Sequence, residues 1–356
     1  MNDNKYLAEV ILEQLGKDSP VVLASIVSME GSTPREAGTK MVVGADGKGY
    51  GTIGGGLLEA ATISESEAVI KAGRSKFIDF DLMGEDTDSE DMICGGKAVL
   101  LLDYLSAGDR NIKLFKKLID FISRGENFYF VTVYTESDEE INVSGHVLLL
   151  SDGSTEGDEV LEDSDVMDLR AELHNISSTT ILAIDNRKFI IDPIRRVQTL
   201  YCFGAGHVAM PVAHIASMVG FKVMVLDDRE EFANIERFPD AEAINIIKDY
   251  NHAMDGLDID RDSFIIILTR GHRFDREVLE QAIRTGAGYI GMISSKKKRD
   301  SVYKALISAG TATAEELERV HSPIGLAIGG ETPEEIAVSI VAELIFERGK
   351  KANEVR

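Results

Sequence analysis

The sequence predicts an α/β protein of two domains, a mixed α/β domain over residues 1–195 and a doubly wound parallel-sheet domain over residues 196–356. Three observations lead there. At 356 residues the chain is longer than one hydrophobic core usually serves. The stretch Leu200–Arg229, LYCFGAGHVAMPVAHIASMVGFKVMVLDDR, reads as strand, glycine turn, helix, strand and terminal acid. After it, apolar β-branched runs at Ala243–Ile247, Phe264–Leu268 and Tyr289–Ile293 alternate with helical spacing, the pattern of βαβ units.

Leu200–Phe203 is the short apolar run of a strand buried on both faces. Gly204, Gly206 and Ala209 supply a G-x-G-x-x-A spacing. Gly204 permits a tight turn, Gly206 lets a pyrophosphate approach the backbone, and Ala209 keeps helix and sheet close. Gly220 is a left-handed helix stop. Asp227 and Asp228 end the next strand, about 20 residues on, where a Rossmann-type fold holds a ribose hydroxyl. His207 follows Gly206 and would face the ligand crevice, whereas His214 reads as a packed or surface residue of the helix.

Further on, a helix beginning near Asp275 would leave His272, Arg273 and Asp275 in a loop at the carboxyl end of the sheet. His207, Asp227, His272 and Asp275 would then converge on one crevice, able to hold a metal or move a proton. No H-E-x-x-H or paired C-x-x-C signature supports a metal. Ser294-Ser295 opens the next helix ahead of Lys296–Arg299, which suits an anionic group or a capped, solvent-facing helix start. Thr332, Pro333 and Glu335 form a capping box for the last helix.

In the N-terminal half, Lys5–Leu15 has helical spacing, Val21–Val27 reads as a strand, and Lys40–Val43 and Gly49–Ile53 flank an Asp-Gly turn. Gly54, Gly55 and Gly56 precede a helix over about Leu57–Ala72 and would expose amide N–H groups at its positive end, an anion cradle. The same glycines would also serve simply to pack strand and helix closely. Arg35 could add a planar fork for an oxyanion. Cys94, between Ile93 and Gly95-Gly96, is either an exposed thiol or a small buried apolar residue. Ile112–Ser123 is an amphipathic helix; Phe128–Tyr134, Gly145–Leu150, Thr180–Ile184 and Lys188–Ile191 read as strands. Glu85–Asp91 is an acidic loop without calcium-loop spacing, Asp152–Asp168 reads as loop and helix start, and Pro193–Gln198 as the linker. No internal repeat is visible.

The formal net charge is −23, which argues against a nucleic-acid surface. Up to Val197 the chain carries 19 basic and 36 acidic residues, and beyond it 19 and 25, so an anionic ligand is the better match to the second half. Two cysteines, no secretory signal and no membrane-length apolar run point to the cytoplasm.

The segments GSTPREAGTKM, GTIGGGLLE, ICGG, FGAGHVA, DDRxxFAxxxRFP, YIGMISSKKKR and SPIGLAIGGETPEEIAVSIVAEL, in this order, resemble the XdhC/CoxI maturation factors of molybdenum hydroxylases. The resemblance implies an XdhC/CoxI domain followed by a Rossmann domain, often in a homodimer. It implies a chaperone that binds the molybdenum cofactor (molybdopterin or its dinucleotide form), protects it during sulfuration, and inserts it into a xanthine-dehydrogenase-type apo-enzyme, with a cysteine desulfurase as a further partner. On that basis Cys94 becomes the contact for molybdenum or sulfur, and Arg35 with Gly54–Gly56 the pterin phosphate site. Gly204, Gly206, His207 and Asp227 fall on the family's turn and following acid, while Ser294-Ser295 stands where Gly-Ser is more usual. The alternatives are an NAD(P)-dependent oxidoreductase with His207 or His272 as acid or base, and a nucleotide-sensing interaction module.

Overall fold

The computed structural model describes residues 3–31, 35–81, 96–137, 141–150, 152–157, 161–173 and 176–354. Cys94 and the acidic segment Glu85–Asp91 lie outside the described residues. The chain divides into two units, with the boundary between Arg196 and Val197.

The first unit opens with α1 (Asp3–Leu15), β1 (Val21–Gly31), β2 (Lys40–Gly44), β3 (Gly49–Gly51), α2 (Gly56–Ala72), β4 (Lys76–Asp81) and β5 (Gly96–Leu105). It continues with α3 (Asp109–Arg124), β6 (Phe128–Glu136), β7 (Ile141–Leu150), β8 (Thr155–Gly157), α4 (Asp163–Leu173), β9 (Thr180–Ile184) and β10 (Arg187–Ile194). The two runs have the same order of elements. They also make the same sheet, β3-β2-β1-β5-β4 in one and β8-β7-β6-β10-β9 in the other, with every neighbour antiparallel. The unit is therefore an internal duplication, although the sequence shows no repeat.

Local chemistry accounts for the elements. Gly47 takes φ +76° in the Asp-Gly turn between β2 and β3. Along α3, Leu114, Phe115, Leu118 and Phe121 fall on one face, and Gly125 closes the helix in the left-handed conformation. That face joins Leu7 and Ile11 of α1, Leu23 of β1, and Phe128, Phe130 and Leu148 of the second sheet in one core. Two polar clusters cross from sheet to sheet inside it. Asp103 of β5 accepts from Ser75 at 3.0 Å and lies 2.6 Å from His146 of β7. Asp192 of β10 accepts from Thr179 at 2.6 Å and pairs with Lys40 of β2.

The second unit contains β11 (Thr199–Phe203), α5 (Ala209–Met218), β12 (Lys222–Asp227), β13 (Ala243–Ile246), β14 (Ser263–Ile267), α6 (His272–Ala282), β15 (Tyr289–Met292), α7 (Lys296–Ser308), α8 (Ala314–Glu318), β16 (Val320–His321) and α9 (Pro333–Glu354). Its parallel sheet runs β13-β12-β11-β14-β15-β16, so strand order reverses beside β11. In open α/β sheets, ligands bind outside the carboxyl ends of the strands at such a switch point. Helices α5 and α9 cover one apolar face of the sheet, and α6 and α7 the other.

Several boundaries differ from expectation for identifiable reasons. Pro193 and Ile194 belong to β10, opposite Tyr129 and Phe128, instead of opening a linker. Proline is tolerated here near a strand end. The segment after Asp152 includes strand β8, and α4 begins only at Asp163. Helix α6 starts at His272, capped by Gly271, so His272, Arg273 and Asp275 occupy its first turn and not a loop.

Truncating Asp103 would leave both the Ser75 hydroxyl and the His146 ring without this buried partner. We expect Asp103→Ala to lower unfolding free energy by about 2–4 kcal/mol, read from the shift in denaturant midpoint.

Candidate functional site

The glycine turn of the second unit is held from both sides. Gly204 has φ +109°, and a Cβ there would stand 2.4 Å from the carbonyl oxygen of Leu268, so only glycine fits. The amide of Ala205 donates to Asp227 Oδ2 at 2.8 Å, and its carbonyl accepts from Arg237 at 3.2 Å. Asp227 is fully buried and also takes two hydrogen bonds from the Arg229 guanidinium, at 2.9 and 3.0 Å. Burial pushes the Asp227 pKa up, but the Arg229 and Ala205 donors outweigh it and hold the carboxyl below its ordinary value. Arg229 and Arg237 both stack on Phe232, at 3.8 and 5.1 Å from its centroid.

Asp227, expected to receive a ribose hydroxyl, has its oxygens engaged by the turn and by Arg229, so it braces the glycine turn. Gly206 differs from Gly204: its φ is not left-handed, and a Cβ there would meet nothing within 4 Å. Nothing in the fold demands glycine at 206, which fits a position kept clear for a ligand. His207 is exposed in the same turn, and the N-cap of α5, Val208, provides no side-chain cap.

Across the switch point, Arg270 after β14 makes a two-pronged ion pair with Asp228 after β12. Because β11 lies between those strands, the pair bridges the ends flanking the glycine turn. Arg270 also stacks on Phe274 at 4.5 Å. Asp275 is fully buried, accepts from Thr269 at 2.5 Å, and has Lys298 2.7 Å from its other oxygen, off the line of a good hydrogen bond. Burial pushes the Asp275 pKa up, against the pull of Lys298 and Thr269. Asp275 is thus a staple between α6 and α7, away from solvent. His272 is exposed at the start of α6.

Ser295 caps α7 by accepting from Lys298 at 3.2 Å, and the Ser294 hydroxyl meets that of Ser322 at 2.7 Å. Of the four residues expected to converge on one crevice, His207 and His272 are exposed, whereas Asp227 and Asp275 are buried. Among the described residues, no group of three or more His, Cys, Asp or Glu side chains could hold a metal ion. Cys202 is sealed inside β11, where burial pushes its thiol up to about 12, leaving it unreactive.

In the first unit the second glycine turn has the expected shape. Gly54, Gly55 and Gly56 take φ of +131°, +81° and +60°, and α2 follows. The anion in this cradle is the chain's own. Glu59 Oε1 accepts from the amides of Ile53 at 3.2 Å and Gly55 at 2.8 Å, and from the Thr52 hydroxyl. The Thr52 hydroxyl, followed by the backbone amides, holds the Glu59 pKa below its ordinary 4.5.

Beside this turn lies a cavity of about 630 Å³, within the range of small-molecule sites. Arg35, Thr52, Ser177 and Ser178 line it, and the Lys40–Asp192–Thr179 cluster forms part of its wall. Gly38, at φ +93°, lets the backbone pass this cluster: a Cβ would stand 2.5 Å from the Thr179 hydroxyl. Sequence reasoning located Arg35 but missed Lys40, Thr179 and Asp192, since residues 152 positions apart carry no local motif.

Residues 200–344 match the family described as the XdhC Rossmann domain, and residues 15–81 match the XdhC and CoxI family. The chain is 28% identical over 334 residues to a protein of Bacillus subtilis named as a probable xanthine dehydrogenase component, covering 93% of this chain and 94% of that protein. It is 25% identical over 329 residues to the uncharacterized protein YqeB of Escherichia coli, 92% of this chain but 44% of that relative's length. The molybdenum cofactor insertion chaperone PaoD of Escherichia coli is 29% identical over 119 residues, 33% of this chain and 36% of its own. A crystal structure described as a xanthine dehydrogenase from Bacillus halodurans matches with a TM-score of 0.78 at 26% identity, covering 98% of this chain and 96% of that one.

Two outcomes are expected from the turns. Gly204→Ala should destabilise the second unit by about 2 kcal/mol or more, while Gly206→Ala should change its unfolding midpoint little. Glu59→Ala should lower Tm near neutral pH. Because the folded pKa is depressed, Glu59 stabilises above 4.5 and loses that effect as pH falls through its lowered value. The Tm gap between wild type and variant should therefore narrow in acid, as followed by thermal melts across pH.

Proposed function

We propose that this chain, which belongs to the XdhC and CoxI family, is a molybdenum-cofactor chaperone that inserts the cofactor into a molybdenum hydroxylase. The observation that carries the reading is family membership in both units together with a chaperone relative named for cofactor insertion. The 630 Å³ cavity of the first unit supports it, being large enough for a pterin and rich in donors. Arg35, Ser177 and Ser178 would hold a phosphate, and the Thr179–Asp192–Lys40 cluster would fix the wall against which the ring system lies. The bound group supplies its redox chemistry only in the client; the chain's own task is to bind it, shield it from water and release it.

Protection during sulfuration belongs to the same proposal, with Cys94 as the thiol that meets molybdenum or sulfur. A homodimer, a cysteine desulfurase partner and a cytoplasmic site of action complete it. Among the described residues, no helix is long and apolar enough to cross a membrane. A nicotinamide oxidoreductase has less to stand on, because the acid that would hold the ribose is engaged by Ala205 and Arg229.

The test is the cofactor content of protein purified anaerobically from cells making molybdopterin, scored as the oxidised fluorescent pterin with molybdenum and nucleotide measured alongside. Near-stoichiometric pterin is expected. Arg35→Ala should cut that load about tenfold or more, and Cys94→Ala should leave the fold intact while abolishing client activation. Nicotinamide nucleotide without pterin would turn the assignment to the oxidoreductase.

A further inference from the structure

The duplication of the first unit has a chemical counterpart. On the central strand of the first half, Leu23 lies opposite Asp103, and two residues on Ser25 lies opposite Lys40. On the central strand of the second half, Phe130 lies opposite Asp192, and two residues on Thr132 lies opposite His146. Asp103 and Asp192 therefore occupy equivalent positions, and so do Lys40 and His146. Each aspartate pairs with the lysine or histidine that stands at the equivalent position of the other half, and each accepts through Oδ1 from a hydroxyl just ahead of an edge strand, Ser75 before β4 and Thr179 before β9.

Each cluster also borders a cavity. Thr179, Asp192 and Lys40 line the one of about 630 Å³, and Ser75 and His146 line one of about 240 Å³. The cavities share their construction: residues 35–40 line the first where residues 141–146 line the second. Their linings differ. Among the described residues no carboxylate lines the smaller cavity, in a half of the chain where acids outnumber bases 36 to 19. Arg74, Arg110 and His146 line it together with Asn142, while the Ser75 hydroxyl donates to Asp103 and the Asn111 amide to the Ser106 carbonyl. Arg110 is braced by a hydrogen bond to the Ser144 carbonyl at 3.1 Å. The 16-residue helix α3 begins here with Asp109 in its first turn, and its N-cap, Gly108, carries no side chain to cap its amides.

We propose that this smaller cavity is a second ligand site, the duplicate of the larger one, and that it takes a tetrahedral oxyanion, either a free ion such as phosphate or the phosphate end of a larger molecule. Arginine forks and a helix start suit a compact anion, and the volume is too small for a tricyclic pterin. The inference stands apart from the cofactor reading, which concerns the larger cavity.

Calorimetric titration of the full chain with inorganic phosphate at low salt tests it. One saturable site is expected, weakened about tenfold or more in Arg110→Ala and abolished in the Arg74→Ala/Arg110→Ala double variant. Both arginines are exposed, so their truncation leaves the core intact. Ribose 5-phosphate binding alongside phosphate would assign the site to the end group of a larger ligand, and its exclusion to a free oxyanion; either supports the site. No saturable binding, undiminished binding in the double variant, or loss in Arg35→Ala instead would overturn it. Pterin load scored on the same preparations separates this result from the cofactor reading.

Discussion

A carboxylate sealed from water underlies the second unit. Asp227 could not remain ionised there alone, because removing a charge from water costs several kcal/mol that only strong donors offset. Arg229 and the Ala205 amide are those donors, and in satisfying Asp227 they lock the end of β12 to the glycine turn after β11. Arg237 secures the carbonyl of the same residue, and Phe232 lies against both guanidiniums. The DDRxxFAxxxRFP segment thus braces the glycine turn, holding its backbone in place from both sides.

The same logic recurs at the other glycine turn. Glu59 occupies the amides of Ile53 and Gly55, and the Thr52 hydroxyl together with these amides lowers its pKa. Both turns attract negative charge because amide N–H groups converge there, and in both the chain itself supplies a carboxylate. The neighbouring cavity walls are consequently more open to a ligand than the turn is.

Those walls follow from duplication. Two sheets of identical strand order meet face to face, and each must accommodate a buried aspartate. The solution is reciprocal, each aspartate being matched by a residue from the other half. Lysine at one position and histidine at the other break the symmetry, and the cavity linings diverge with them. One half came to present hydroxyls and a single arginine around a large space, the other two arginines around a small one.

Period and punctuation determined much of this in advance. The run Leu200–Arg229 specified strand, turn, helix and strand because each depends on neighbours in sequence, and Gly204 declared the turn through a conformation only glycine takes freely. Family motifs carried the fold class and the order of the two halves. What lay beyond sequence was every pairing between distant residues. The contacts of Asp227 with Ala205 and Arg229 appear only on folding, and Asp275 looked exposed until α6 began three residues early. The duplication was invisible because two halves can keep strand order and buried polarity while sharing few side chains. Lys40 and Asp192, or Asp103 and His146, acquire meaning only when two sheets are brought together, since burial and partnership are properties of packing and not of any one segment.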